Sequence, residues 1–424
     1  MTKVFIKTFG CQMNVYDSER MAGVLGADDF EITDKEKEAE YIILNTCSVR
    51  QHAEDRALSY IGAAIKHAKV IVAGCMAERM QDELMAKFPR LHAVVGTFNF
   101  SNISSAINRG KKKIFAGVTE EKYPVKLRRN EKVRGYITIM QGCDNFCAYC
   151  IVPYVRGRER SRDVEGILAE IRQLVVEGFK EVMFLGQNVN SFLDQKSGTN
   201  FSGLLRKAGE IAGIERIRFM TSHPKDLTDE LIESIAATPK VCKHIHLPLQ
   251  SGSDRILQIM NRHYTADWYL SRVKKIREAM PGGAITTDIL VGFPGETDED
   301  FQHTLEVMKK AGFDSSYIFK YSSRRGTKAA EMGEQVTETV KLARLNNVLE
   351  LQKKMSEDIT KSYMGREVEI LVTGQNTVVP GMMEGVTDNS KKVIISGDSG
   401  MIGCFYRVKV TRTQTAIMEG EVIK

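Results

Sequence analysis

Short apolar runs recur through the first quarter of the chain: VFIKTFG, YIILNT, VIVAG and LHAVVG. Between them lie segments with helical spacing, DSERMAGVLG and AEDRALSYIGAAIKHA. Strands separated by helices pair in parallel, so this region is predicted to be an open parallel α/β sheet. A second series of the same kind begins near Arg134. GYITIMQGC leads to a helix from Val164, EVMFLGQN to one from Ser202, and IRFMTSH to one from Thr228. HIHLPLQ precedes a helix through Trp268, AITTDILVG precedes one from Asp298, and SYIFKYS closes the series. These six βα-like units predict a partial (β/α)6 barrel rather than eight closed strands. From Gln335 to Tyr363 the pattern is helical and charged, and reads as a connector. EVEILVTG, KKVIISG, CFYRVKVTRT and MEGEVIK then alternate between Gly-rich turns, which predicts a small antiparallel β-barrel. The expected divisions are 1–115, a basic linker at 116–133, the barrel at 134–334, a connector at 335–360 and the terminal barrel at 361–424.

Composition changes this picture little. The 424 residues are 42% apolar and 27% charged, ordinary for a soluble globular protein. There is no apolar stretch of membrane-spanning length, and MTKVFIKTFGC lacks the apolar core of a signal peptide. A cytoplasmic, reducing location is the expectation, and it suits eight cysteines kept as thiols.

Six of those cysteines change the picture. Cys143, Cys147 and Cys150 lie in QGCDNFCAYC, just after the first strand of the second series. Cys11, Cys47 and Cys75 each follow a strand of the first series. In open α/β sheets the carboxyl edge of the strands is where ligands bind, so three residues far apart in sequence converge there. Three thiolates hold three irons of a 4Fe–4S cube and leave the fourth open, whereas an electron-transfer cluster is closed by four cysteines. Zinc would require a fourth ligand near the tight triplet, and none follows at zinc-like spacing. For Cys75, in VAGC, the plain alternative is a buried small side chain. Cys242 and Cys404 match no ligand pattern.

The formal charge of +6 is uneven: Arg109–Arg134 carries ten basic and three acidic residues. Lys111, Lys112, Lys113, Arg128 and Arg129 in that stretch, and Arg156, Arg158, Arg160 and Arg162 after the tight triplet, are candidates to neutralise phosphates. The alternatives are a solvated linker for the first group and salt bridges with Glu159 and Asp163 for the second.

CDNFCAYC after a barrel's first strand resembles the radical S-adenosylmethionine enzymes. FGCQMNVYDSE, NTCSVRQHAEDRA, VAGCMAE, CIVPYVRGRERSR, GQNVNS and HLPLQSGSDRIL narrow the resemblance to the methylthiotransferases, and the terminal barrel is similar to a TRAM domain. Together they cover the chain end to end. CQMN and NTCSVR resemble the branch acting on N6-isopentenyladenosine beside the tRNA anticodon. The branches acting on threonylcarbamoyladenosine or on a ribosomal-protein aspartate would show different residues at both places. SSRRGT (322–327) departs from the family, which usually has a proline before the glycine-threonine pair; Arg324 is retained.

The resemblance implies two 4Fe–4S clusters and S-adenosylmethionine. Cys143, Cys147 and Cys150 would hold the cluster whose open iron binds S-adenosylmethionine and cleaves it to a 5′-deoxyadenosyl radical. Cys11, Cys47 and Cys75 would hold an auxiliary cluster carrying the sulfur to be donated. One S-adenosylmethionine methylates that sulfur, and the radical from a second takes hydrogen from adenine C2, where the methylthio group is delivered. Gly186, Gln187, Asn188, Ser222, Gln250, Ser251, Arg262, Asp288, Val291 and Phe293 stand at the matching strand ends and would line the cofactor site. No catalytic base is required. His52, His67 and His263 are expected on the surface or on helices, while His223, His244 and His246 are candidates to line the barrel. The implied partners are a tRNA anticodon stem-loop with its base splayed out and a reductant such as flavodoxin or ferredoxin, with the enzyme a monomer in the cytoplasm. The terminal barrel is nearly charge-neutral, with Arg366, Lys391, Lys392, Arg407, Lys409 and Arg412 offset by acids, so its RNA role rests on the resemblance. A noncatalytic iron–sulfur RNA-binding sensor is the reading from a different class.

Overall fold

The structure is a computed structural model that describes residues 1–48, 51–108, 114–117, 127–129 and 131–423, with backbone alone at 51 and 52. Two compact units emerge from it. The first comprises Met1–Asn130 with 141–144 and 150–160; the second comprises the remainder, including the terminal barrel.

The first unit is built on a six-stranded sheet of order β2-β1-β3-β4-β5-β6. Its strands are β1 (Lys3–Thr8), β2 (Glu31–Ile32), β3 (Tyr41–Thr46), β4 (Lys69–Gly74), β5 (Ala93–Val95) and β6 (Ile114–Phe115), and every pairing is parallel. Helices α1 (Gln12–Ala27), α2 (Gln51–Ala64), α3 (Cys75–Lys87) and α4 (Ile103–Asn108) connect and cover them. Successive strand residues face opposite layers. Val4, Ile43, Ile71 and Val95 pack with Met21, Leu25, Ile103 and Ile107 on one face. Ile42, Leu44, Val70, Val72 and Val94 pack with Ala57, Ile61, Met76 and Leu84 on the other. Two covered faces explain why these strands read as continuous apolar runs. β2 and β6 were invisible to periodicity because each is two residues long.

The second unit opens with β7 (Arg134–Thr138). After it come the short strands β8 (Met140–Gln141) and β9 (Arg160–Ser161), with the short helix α5 (Val152–Arg156) between them. Then follow α6 (Val164–Val176), β10 (Glu181–Leu185), α7 (Phe201–Gly209), β11 (Arg216–Phe219), α8 (Asp229–Ala237), β12 (His244–His246), α9 (Asp254–Ile259), α10 (Ala266–Ala279), β13 (Ala284–Val291), α11 (Asp298–Ala311), β14 (Ser315–Lys320) and α12 (Glu338–Lys361). The parallel orders β11-β10-β7 and β12-β13-β14 form two arcs. A parallel bridge from Ile217 to Val241 joins β11 to the run leading into β12. This is the expected partial barrel.

The predicted connector is in fact the helix that follows the barrel's sixth strand. α12 lies against β14: Val348 is fully buried in the barrel core, and Gln352 donates to Phe313 O at 3.0 Å. It read as a linker because much of its buried face is polar, with Lys341, Arg344, Gln352, Ser356 and Thr360 enclosed. Arg344 bonds Glu296 at 2.6 Å, and Ser356 donates to Asp314 O at 2.9 Å, so burial without apolar side chains is satisfied by hydrogen bonds.

The terminal strands β15 (Glu367–Gln375), β16 (Met382–Thr387), β17 (Lys392–Ser396), β18 (Phe405–Thr413) and β19 (Ile417–Val422) close a barrel of order β15-β16-β17-β19-β18. β16 was missed in GMMEGVT, where glycines flank little apolar alternation. The barrel departs from the antiparallel expectation at one seam, where β17 and β19 run parallel. It docks at the start of β11. Arg216 donates to Val386 O at 2.5 Å, and Arg218 donates to Thr387 O at 2.6 Å and Asp388 O at 2.8 Å. Glu181, 1% exposed, accepts from both Arg218 and Arg134 and so balances this buried charge.

Candidate functional site: two cysteine triplets at strand ends

In the first unit all three dispersed cysteines leave the carboxyl edge of the sheet. Cys47 directly follows β3, Cys75 begins α3 immediately after β4, and Cys11 caps α1 just beyond β1. Two asparagines brace these turns. Asn14 Oδ1 accepts from the Cys11 backbone N–H at 3.2 Å, and Asn14 Nδ2 donates to Asn45 Oδ1 and Thr46 O at 3.2 Å each. Asn45 Nδ2 returns bonds to Asn14 O at 2.8 Å and Ser18 Oγ at 2.9 Å. Thr46 Oγ1 donates to Ala73 O at 2.6 Å, tying the Cys47 turn to the strand before Cys75. Gly74 has φ +92°, and a Cβ there would meet Asn45 Oδ1 at 2.5 Å and Thr46 O at 2.6 Å, so only glycine fits. Cys11 is exposed; Cys47 and Cys75 are buried. Burial pushes the Cys75 thiol up, opposed by the Arg156 guanidinium.

The tight triplet divides between the units: Cys143 and Cys150 belong to the first and Cys147 to the second. Cys143 N–H donates to Gly157 O at 3.2 Å, and Gly142, at φ +79°, lies against the carbonyl of Arg158. In the second unit Asn145–Tyr149 is gripped by the turn after α9. Asn261 Nδ2 donates to Asn145 O at 3.0 Å and Phe146 O at 3.2 Å, and Ala148 N–H donates to Met260 O at 2.9 Å. Arg262, 4% exposed, points one Nη1 at both Cys147 Sγ and Tyr149 Oη, 3.5 Å each. Its other bonds reach Pro248 O at 2.7 Å and Tyr264 Oη at 3.0 Å.

The remaining strand-end candidates divide into presented and packed groups. Gly186 lies where a Cβ would meet Met140 Sδ at 2.6 Å, and the Gln187 N–H approaches the same sulfur at 3.2 Å. Asn188 donates to Asp226 at 2.7 Å, and Ser222 donates to His246 O. Gln250, at φ +69°, donates its N–H to Asp288 O at 2.8 Å. Asp288 stands 3.5 Å from His246 Nε2. Val291 and Phe293 are fully buried, and Phe293 packs with Ala148, Leu290 and Tyr321, so these two support the edge from beneath. His223, His244 and His246 are buried. Burial, with Arg262 next, pushes the imidazole of His223 far down, and burial pushes His244 down to about 3, which keeps both neutral.

The LPLQSGS turn is anchored on α11. Ser253 Oγ donates to Asp300 at 2.6 Å, Gly252 N–H donates to Thr304 Oγ1 at 2.9 Å, and Arg255 also bonds Asp300. A Cβ on Gly252 would meet His303 O and Thr304 Cα at 2.6 Å. Burial raises the Asp300 carboxyl, but the bonds from Arg255, Ser253 and Thr297 outweigh it and hold the carboxyl below the usual carboxylate range. Its stabilising effect is therefore full above the unfolded value of about 3.9 and is lost as pH falls below it. Asp300→Asn is expected to be less stable than the wild type near neutrality and to lose less further stability on acidification. The emission of Trp268, the chain's single tryptophan, reports this in the second unit.

Matching family models cover residues 3–96 (Uncharacterized protein family UPF0004), 137–308 (Radical SAM superfamily) and 361–423 (TRAM domain). A tRNA-2-methylthio-N(6)-dimethylallyladenosine synthase from Carboxydothermus hydrogenoformans is 44% identical over 99% of both chains. One of the same description from Clostridium tetani is 44% identical over 99% of this chain and 96% of its own. The chain belongs to the tRNA-2-methylthio-N(6)-dimethylallyladenosine synthase family. Among solved structures, the radical S-adenosylmethionine methyltransferase TsrM from Kitasatospora setae shares the fold, with TM-score 0.57, 15% identity, and coverage of 91% of this chain and 77% of its own.

The donor chemistry fits the iron–sulfur clusters the family implies. None of the six cysteines is joined in a disulfide, and thiolates are the donors such clusters take. In this family member the basic residues correct the sequence reading. Arg156 is 3% exposed and pairs with Asp17 at 2.6 Å, so it is enclosed rather than offered to RNA. Arg162 is spent on Thr138 O at 2.7 Å and Glu170 at 2.9 Å. The Arg129 side chain, 7% exposed, lies 3.5 Å from Glu19, and Arg160 lies over the Phe98 ring. In the Arg156–Arg162 run, Asp17, Asp144 and Glu170 are carboxylates that take part. Arg158, whose side chain is 71% exposed beside Asp144, and exposed Arg128 keep a surface position. Lys111, Lys112, Lys113 and His52 lie outside the described residues or side chains. Asn14, Asn45 and Asp17 went unremarked in the sequence, although they stand inside the quoted motifs FGCQMNVYDSE and NTCSVR.

Proposed function

We propose that this chain is the tRNA methylthiotransferase that exchanges hydrogen for a methylthio group at C2 of N6-isopentenyladenosine beside the anticodon. The observation that carries this is the full-length likeness to the synthases, with Cys11, Cys47 and Cys75 each following a strand of the first sheet and Cys143 following β8. Cys143, Cys147 and Cys150 would hold the cluster that binds S-adenosylmethionine, and Cys11, Cys47 and Cys75 the auxiliary one. When bound, these groups supply one-electron cleavage of S-adenosylmethionine and a transferable sulfur. The chain's own residues do the positioning. Arg262 and Asn261 hold the loop around Cys147, and Asn14 and Asn45 hold the turns of Cys11 and Cys47. Gly186, Gln187, Asn188, Ser222, Gln250, Ser251 and Asp288 are the residues on the barrel edge assigned to the cofactor. Arg158, beside Asp144, and Arg128, which donates to Ile32 O, are the exposed members of the two basic groups and are assigned to phosphate contact. A flavodoxin or ferredoxin as electron donor, a monomeric state and a cytoplasmic location complete the reading; no described helix is long and apolar enough to cross a membrane.

The test is anaerobic reconstitution with iron, sulfide, S-adenosylmethionine, a reductant and tRNA carrying isopentenyladenosine, followed by mass spectrometry of nucleosides. A methylthio gain on isopentenyladenosine with 5′-deoxyadenosine formation is expected. A gain on threonylcarbamoyladenosine alone, or no 5′-deoxyadenosine, would overturn the assignment.

A further inference from the structure

The first unit encloses a cation that none of these roles uses. Arg156 ends α5, on the same segment as Cys150, and α5 packs through Ile151 and Val155 onto Cys75. Its Nη2 bonds Asp17, a fully buried residue of α1, at 2.6 Å. Its Nη1 is buried with no hydrogen-bond partner among the described residues. The guanidinium faces the sulfurs of Cys75 and Cys11. A buried donor left over beside thiols suits a sulfur acceptor, because an unmet buried N–H is costly.

We propose that Arg156 is a positioning residue of the dispersed-cysteine centre: clamped by Asp17, it directs N–H toward sulfur at Cys75 and sets the charge that centre experiences. This rests on reading Cys11, Cys47 and Cys75 as cluster ligands. Hydrogen bonds to sulfur and local charge tune the reduction potential of such clusters. A buried cation is little screened by salt and favours the more negative, reduced form. Lysine supplies the charge without the planar fork. Since Arg156 and Cys150 share one segment, ordering of the Cys150 loop also seats the guanidinium.

The test uses the full chain with Cys143, Cys147 and Cys150 replaced by alanine, so that only the dispersed cysteines bind iron. Iron and sulfide content, the electron paramagnetic resonance spectrum and the midpoint potential are read after anaerobic reconstitution. Asp17→Asn removes a neighbouring negative charge and should move the potential positive. Adding Arg156→Met to it should move the potential negative again and change the spectrum. Arg156→Lys alone should keep the potential near the parent's while altering the spectrum. A brace that served folding alone would move thermal stability and leave potential and spectrum fixed, so equal potentials and spectra for Asp17→Asn and the double variant would overturn the proposal. If the double variant fails to fold, an unmoved potential in Asp17→Asn overturns it. A parent that binds no iron removes the cluster assignment itself and the proposal with it.

Discussion

Cys11→Ala is expected to go on cleaving S-adenosylmethionine while forming no methylthiolated nucleoside. Cys11 is exposed, and its side chain meets Asn14, at Oδ1 (3.6 Å) and at the backbone N–H of the same turn, so removing the sulfur costs the fold little. The Cys11 N–H bond to Asn14 is a backbone bond and survives. The tight triplet is untouched by this change. The loss of product should exceed the roughly 10–100-fold that follows loss of an outer-shell partner, because a ligand itself is gone. Liquid chromatography of 5′-deoxyadenosine and mass spectrometry of the tRNA nucleosides read the two halves separately. Cys147→Ala should abolish both. If Cys11→Ala lost 5′-deoxyadenosine to the same degree as product, the two triplets would not have separate jobs.

Glu181→Gln is expected to cost the second unit about 3–5 kcal/mol, the range for breaking a buried ion pair from one side. Glu181 is 1% exposed and accepts from Arg134 and from Arg218, the latter at 2.8 Å. Burial alone would raise its carboxyl, but Arg218 and Arg134 hold it below the usual range. Glutamine keeps the shape and leaves the buried Arg218 guanidinium and the partly exposed one of Arg134 without this counter-charge. Arg218 is also the residue that bonds the turn after β16, so the terminal barrel's docking weakens with it. Urea unfolding followed by Trp268 fluorescence measures the loss. A change below about 1 kcal/mol, typical of an exposed pair, would show that the charge is not enclosed as described.

Much of the fold was legible because its signals are local. β3 and β4 announced themselves as apolar runs, and Cys11, Cys47 and Cys75 each followed a strand by position alone. What stayed illegible depends on partners distant in sequence. Arg156 looked like an RNA contact within a run of arginines, yet its partner Asp17 lies 139 residues earlier and only folding brings them together. The same holds for Arg216 and Arg218, whose acceptors are backbone carbonyls of the terminal barrel, groups that leave no trace in a sequence pattern. The Asn14–Asn45 pair was similarly hidden, its two halves falling in separate motifs.

The polar underside of α12 bears on how this protein can be dissected. A truncation placed where the sequence looks like a linker, before Glu338, would strip the cover from β14 and leave Asp314 O, Phe313 O and Ser316 without the groups that now meet them. The excised barrel would then resemble a damaged enzyme rather than an enzyme lacking its RNA-binding end. A cut after Thr360 keeps that cover. It still uncaps Arg216 and Arg218, so a clean catalytic fragment also needs those two positions redesigned as surface.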